Sequence, residues 1–226
     1  MINEYLDVDS AASRALKFNS ENGPLVIADY ADNPGAGSYG DSTHLLSALL
    51  KAGVTNACLG AMIDSEAVAQ LEDCRNGEQI SIKLGGKNDS DIGGGPLDLK
   101  VQLLHKSDGH YVGTGQMIGG LPSCFGPTAV VRCDGIEILI TSIAQQLLDL
   151  QQFKAFGINP KSKSVVALKS MQHFRADFEP IAAEVIVCDS GALATPDYRR
   201  RNYQNVRRPI FPLDPDSEID PHASWG

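Results

Sequence analysis

Three aspartates and three glycines fall between Asp29 and Asp41, in the stretch Asp29-Tyr30-Ala31-Asp32-Asn33-Pro34-Gly35-Ala36-Gly37-Ser38-Tyr39-Gly40-Asp41. Glycines allow backbone N–H groups to approach a ligand closely, and Gly35, Gly37 and Gly40 satisfy the G-x-G-x-x-G spacing of dinucleotide loops. The chemistry around them is wrong for phosphate. Several polar or turn-forming positions separate Gly35 from the preceding apolar run, Pro34 imposes its own turn, and the loop carries carboxylates but no Lys or Arg. Read as a phosphate loop, it has Asp41 where a lysine must neutralise the phosphate. Two readings then compete with a nucleotide-binding module built on residues 35–40. In one, the aspartates are caps and Asx-turn residues of a tight connection. In the other, Asp32, Asn33, Gly35, Gly37 and Asp41 bind a cation, an amine or a substrate amide, with backbone N–H groups left for a substrate carboxylate.

A second constellation, Lys169-Ser170-Met171-Gln172-His173-Phe174-Arg175, follows another apolar run. Lys169, Ser170, His173 and Arg175 offer a cation, a hydroxyl, a titratable imidazole and a guanidinium within seven residues, a density at a strand end that favours a functional role. His173 and Asp177 are four apart, so a local hydrogen bond is the plain structural alternative. No H-E-x-x-H, H-x-H or close Cys/His cluster is present, which leaves no metal ligands to assign. Asp89-Ser90-Asp91 hints at a calcium loop but lacks its terminal acid, Lys100 standing there instead. Arg199-Arg200-Arg201 and Arg207-Arg208 form a basic island, either a salt-bridged face or a docking surface for an acidic partner.

The elements that must position these groups follow from periodicity. Pro24 to Ala28 is an apolar, strand-like run ahead of the glycine loop. A helix from Thr43 to Ala52 sets Leu45, Leu46, Leu49 and Leu50 on one face, with Asp41 or Ser42 as its N-cap and Gly53 as its C-cap. Thr55 to Ile63 is a second strand, and Asp64-Ser65 opens a helix to about Leu71. Alternating runs 79–84 and 97–103 and a hairpin 129–133/136–140 around Asp134-Gly135 read as antiparallel strands. A helix is expected from Ile143 to Phe156, a strand at 164–168, a short helix from Met171 to Phe178 and a last strand at 182–187. The expected fold is therefore α/β: a layered mixed sheet with helices, a parallel βαβα start and return, and an antiparallel insertion at about 78–140. In such a sheet the turn at Lys169 opens on the same edge as the glycine loop, bringing Lys169, Ser170, His173 and Arg175 near Asp32. Residues 1–214 are expected to form one domain, with 215–226 a disordered acidic tail.

With a formal charge of −9 the chain repels nucleic acid and anionic membrane, and no apolar run approaches a bilayer span. The acidic start has no secretion-signal character, and five cysteines without a C-x-x-C pair suit reduced thiols; the expected compartment is the cytoplasm.

Taken in order, several segments resemble one family. These are Asp32-Asn33-Pro34-Gly35 through Gly40-Asp41, Gly53-Val54-Thr55-Asn56, Lys169-Ser170 with His173-Phe174-Arg175 and Phe178-Glu179-Pro180, and Arg207-Arg208-Pro209-Ile210 with Pro212-Leu213-Asp214. Together they look like the C-terminal half of the microcystinase C (MlrC) family of metallopeptidase-like proteins, whose members are about twice this long. The resemblance implies a zinc-dependent hydrolase of linear peptide amide bonds, with microcystin degradation as the family's emblem. It implies zinc ligands in an N-terminal half that these residues lack, and hence no cofactor in this chain. Its expected partners are that N-terminal half or a second copy, together with a small peptide substrate. The chain alone is then expected to be inactive, its edge walling a shared cleft. A non-catalytic interaction domain is a further alternative.

Overall fold

The computed structural model describes residues 5–214; the expected acidic tail at 215–226 lies outside them. In chain order the first half contains α1 (Val8–Lys17), β1 (Leu25–Asp29), α2 (His44–Ala52), β2 (Ala57–Ile63), α3 (Ser65–Gln70), β3 (Gln79–Leu84) and β4 (Leu97–Ser107). The second half contains β5 (His110–Val112), β6 (Pro122–Cys124), β7 (Thr128–Cys133), β8 (Ile136–Thr141), α4 (Gln151–Lys154), β9 (Val165–Leu168), α5 (Arg175–Phe178) and β10 (Glu184–Cys188).

Eight strands form one mixed sheet in the order β10-β1-β9-β2-β8-β7-β4-β3, and β5 pairs with β6 in a separate ribbon. From β10 to β8 every pairing is parallel; from β8 to β3 every pairing is antiparallel. The antiparallel insertion is thus present, and its last strand, β8, is shared with the parallel half. Strands buried on both faces carry near-continuous apolar runs, as β1 (Leu25-Val26-Ile27-Ala28-Asp29) does. Alternate residues feed two cores. Leu25, Ile27, Leu59 and Ile138 meet the leucines of α2 and the alanines of α1 on one face. Val26, Ala28, Val130 and Leu139 meet Phe125, Phe153, Phe156, Phe174 and Phe178 on the other. Helices α1 to α3 thus cover one side, while the β5–β6 ribbon, α4 and α5 cover the opposite side.

Three local expectations need correction. The helix expected from Ile143 to Phe156 shrinks to Gln151–Lys154. Side chains take over the backbone there: Gln152 Oε1 accepts from the N–H groups of Leu148 and Asp149, and Asp149 Oδ1 accepts from Gln151 N–H, offering bonds that compete with the helical ladder. The helix expected from Met171 is confined to Arg175–Phe178, because Arg175 N–H turns tightly onto Gln172 O. Neither Asp41 nor Ser42 caps α2. Thr43 holds the cap position without a side-chain cap bond, and both expected caps are engaged elsewhere.

Candidate functional site at the carboxyl edge of the sheet

Because β10, β1, β9, β2 and β8 run in parallel, their carboxyl ends share one edge, the usual ligand edge of α/β sheets. Asp29 ends β1, Lys169 follows β9, Asp64 follows β2 and Ser190 lies just past β10. The expectation that the Lys169 turn faces the glycine loop is met at atomic contact. Lys169 Nζ lies 2.5 Å from Asp32 Oδ2 and donates to the Ser42 carbonyl at 2.8 Å.

Asp32 organises the loop. Its carboxylate accepts from Ser38 Oγ at 2.9 Å, Gly40 N–H at 2.9 Å and Ser42 N–H at 2.8 Å, besides Lys169. A protein carboxylate thus takes the place that a phosphate would take in an anion-binding loop. The preceding amides are committed as well: Gly35 N–H goes to Asn33 Oδ1, those of Ala36 and Ser38 go to Asn33 O, and Gly37 N–H goes to Pro34 O. Gly40 needs its missing Cβ: at φ +73° a methyl group would lie 2.3 Å from Ile63 Cδ1. The amides of all three glycines that the nucleotide reading needs are thus already committed within the loop.

Asp29 is fully buried, accepts from Ser190 Oγ at 2.7 Å through Oδ1, and sits 3.8 Å from Lys169 Nζ through Oδ2. Burial pushes its carboxyl up to about 6, against the opposing pull of Lys169. Burial also disfavours the Lys169 ammonium, but Asp32 and Asp29 outweigh it, and its pKa stands above the ordinary value. Buried charges persist only when paired in this way. Asp41 faces the opposite side of the loop, where its Oδ2 accepts from Lys87 N–H, Asn88 N–H and the Asn88 side-chain amide. With Ser42 Oγ donating to Gly93 O and Thr43 Oγ1 to Gly95 O, the segment 85–95 is strapped over the start of α2.

Asp32, Asp41 and Lys169 therefore shape the edge and do not line it; Lys169 has no free face for a substrate carboxylate. Asn33 is also buried and spends its side chain on the turn. Gly35, Gly37 and His173 are exposed. Ser170 is buried, and its Oγ accepts from Gln146 Nε2 at 2.9 Å; the same glutamine's Oε1 lies 3.3 Å from His173 Nδ1. Arg175 turns away from Asp32, lying over the Phe174 ring and bonding Gln172 and Glu179. Gln146 is the residue that sequence reasoning missed, being one polar position in a segment read as helix. It reaches the glycine loop as well: a Cβ on Gly35 would lie 2.5 Å from Gln146 Oε1. Beside it opens a groove of about 360 Å³ lined by Gly35, Tyr111, Leu121, Gln145, Gln146 and Gln152, among others.

A zinc ion does not fit this edge. Among the described residues no three His, Cys, Asp or Glu side chains form a group that could hold a metal, and the buried carboxylates already face an ammonium. Three of the five arginines of the basic island are ion-paired locally, Arg199 with Asp197, Arg200 with Asp189 and Asp197, and Arg208 with Asp214. No helix among the described residues is long and apolar enough to cross a membrane.

The family described as MlrC C-terminus matches residues 27–205, and the chain belongs to it. Among individual proteins, it is 29% identical to microcystinase C from Sphingomonas sp. over 192 residues, covering 85% of this chain and 36% of that protein. The crystal structure of a proposed metallopeptidase from Mesorhizobium sp. BNC1 superposes with a TM-score of 0.82 at 21% identity, covering 99% of this chain and 42% of that one, a likeness of fold. The chain thus spans less than half the length of either relative.

Proposed function

We propose that this chain is the substrate-side domain of a metal-dependent hydrolase of linear peptide amide bonds, related to microcystinase C, and that it does not hydrolyse peptides by itself. The metal ligands, on this reading, belong to a region outside these 226 residues that corresponds to the remainder of the longer relatives. The observation that carries it is the groove beside Gly35 and Gln146, coupled through Gln146 to Ser170 and His173 at the carboxyl edge of the sheet.

In that role Asp32, Asp41 and Lys169 hold the wall rigid, which matters because productive geometry tolerates little displacement. Gly37, exposed and with open space where a side chain would stand, leaves room for an extended peptide, His173 offers an exposed imidazole, and Arg175, partly exposed, suits a peptide carboxylate. The partner is a metal-bearing N-terminal half, with self-association as the alternative source of a closed cleft. Five free cysteines suit a reducing compartment, and the cytoplasm is the proposed location.

The test is hydrolysis of a linear peptide in the presence of zinc, by the chain alone and after addition of the N-terminal portion of a longer relative. Turnover is expected only in the mixture. Robust zinc-dependent turnover by the 226 residues alone would overturn the proposal.

A further inference from the structure

We infer that the groove between the glycine loop and the β5–β6 ribbon is a subsite for an uncharged, apolar side chain of a peptide, with Gln146 as the residue that joins this subsite to the reacting edge. The inference deepens the peptide-hydrolase reading and rests on it for the identity of the ligand as a peptide.

The lining supports the assignment first by what it lacks. In a chain of net charge −9, no Asp, Glu, Lys, Arg or His lines this groove. A charged side chain entering it would shed water without meeting an opposite charge, which is unfavourable. Its volume of about 360 Å³ lies within the ~300–1,000 Å³ range of small-ligand clefts.

The floor is a fixed polar chain. Tyr111 Oη donates to Gln145 Oε1 at 2.8 Å and accepts from Gln152 Nε2 at 3.0 Å, while Ser123 Oγ donates to Gln145 Oε1 at 3.1 Å. Gln152 is fully engaged: its Oε1 takes the Leu148 and Asp149 amides, and its Nε2 reaches Tyr111 and the Gln146 carbonyl. Buried polar groups that are satisfied internally present no unmet demand to a ligand, so this floor accepts apolar matter without penalty. Leu121, more than half exposed, and Ile118 supply the apolar wall on the ribbon side.

Gln146 is the least engaged of the three glutamines: Gln145 Nε2 also makes one bond, to Cys124 O, but its Oε1 holds two donors. Gln146 Nε2 makes one bond, to Ser170 Oγ, so a second N–H is available, and its Oε1 has only the 3.3 Å contact with His173. A carboxamide with a spare donor and a weakly held acceptor complements a peptide group, which presents one of each. The absence of a Cβ at Gly35 gives it room. A peptide laid along the edge would therefore place one side chain in the groove while its backbone meets Gln146.

The experiment uses the full chain and two capped probes, N-acetyl-leucyl-leucinamide and N-acetyl-glutamyl-glutamamide, followed by saturation-transfer NMR and titration. The leucine probe is expected to bind at least about tenfold more tightly than the glutamate probe. Leu121→Asp, a change at an exposed position whose fold is checked by circular dichroism, is expected to weaken the leucine probe at least about tenfold. Gln146→Ala is expected to weaken both probes while the preference survives. Equal binding of the two probes, or leucine-probe affinity untouched by Leu121→Asp, overturns the inference. So does the finding that a second copy covers this face, seen as a concentration-dependent dimer that Leu121→Asp dissociates and as no probe binding. Because binding is read without turnover, a failed hydrolysis assay leaves this result standing, and hydrolysis without apolar preference removes the subsite alone.

Discussion

Lys169 and Asp32 are 137 residues apart in the chain, yet Nζ and Oδ2 meet at 2.5 Å with each side chain at most 3% exposed. The pair ties the end of β9 to the glycine loop, and through Ser42 O it reaches the start of α2. Its energetic content is asymmetric. Removing Asp32 strands a buried ammonium and also leaves the amides of Gly40 and Ser42 without their acceptor. Asp32→Ala is therefore expected to lower unfolding free energy by ~3–5 kcal/mol, the range for breaking a buried ion pair. Lys169→Met leaves Asp32 with three donors and is expected to cost less. Urea denaturation of the two variants decides the order, and a larger loss in Lys169→Met would contradict this account.

Asp29 should make stability depend on pH in an unusual direction. Burial raises its folded-state carboxyl to about 6, above the ordinary aspartate value of 3.8. Between those values the folded chain holds a proton that the unfolded chain releases, so this group's contribution to stability falls as pH rises from about 4 to 6. It is fully present below the unfolded value and lost above the folded one. Asp29→Asn, which retains an acceptor for Ser190 Oγ, is expected to flatten that part of the profile. Denaturation midpoints measured from pH 4 to 7 for both proteins give the difference directly, and parallel profiles would remove Asp29 from the explanation.

Two glycines of the same loop should respond differently to alanine. At Gly37, φ is +84° and open space surrounds the missing Cβ, so Gly37→Ala is expected to cost only the left-handed backbone penalty of ~1–2 kcal/mol. At Gly40 the same penalty is joined by contacts at 2.3 Å with Ile63 and 2.9 Å with Pro34, and overpacking adds ~1–3 kcal/mol. Thermal denaturation should rank Gly40→Ala clearly below Gly37→Ala. Equal midpoints would mean that the loop shifts freely, contrary to its anchoring by Asp32.

The five thiols should fall into two groups. Cys58, Cys133 and Cys188 are buried, and burial raises their thiol pKa values. Cys74 and Cys124 are partly exposed. A thiol-specific chromogenic reagent is expected to label Cys74 and Cys124 rapidly in the native protein, and all five in denaturant. Rapid native labelling of more than two would show that the strands carrying the buried thiols open readily.

Much of the sheet was legible because strand and helix patterns are local. Gln79–Leu84 alternates as an exposed antiparallel strand does, and the leucines from Leu45 to Leu49 repeat as one helical face does. Local pattern failed where side chains compete with the backbone for hydrogen bonds. The segment 143–150 has helical composition, yet Gln152 claims the amides of Leu148 and Asp149 and Asp177 that of Leu150, and only Gln151–Lys154 turns helical. The candidate site divides along the same line. Its loop was visible from glycine and aspartate spacing, whereas Gln146 had no signal, since its importance comes from reaching Ser170, His173 and the space above Gly35 together.

Acting alone, then, the sequence determined the α/β class, the parallel start, the antiparallel middle and the family, all of which rest on short-range periodicity and on motifs read in order. It also placed the Lys169 turn on the edge that holds the glycine loop, because parallel strands must align their carboxyl ends. Only the tertiary structure decided which groups remain available there. Burial and long-range pairing consume Asp32, Asp41 and Lys169 internally, and they leave Gln146, His173 and an uncharged groove facing outward. The spacing of residues specifies which chemistry can be brought together; the packing around each group decides whether that chemistry stays exposed or is spent on the fold.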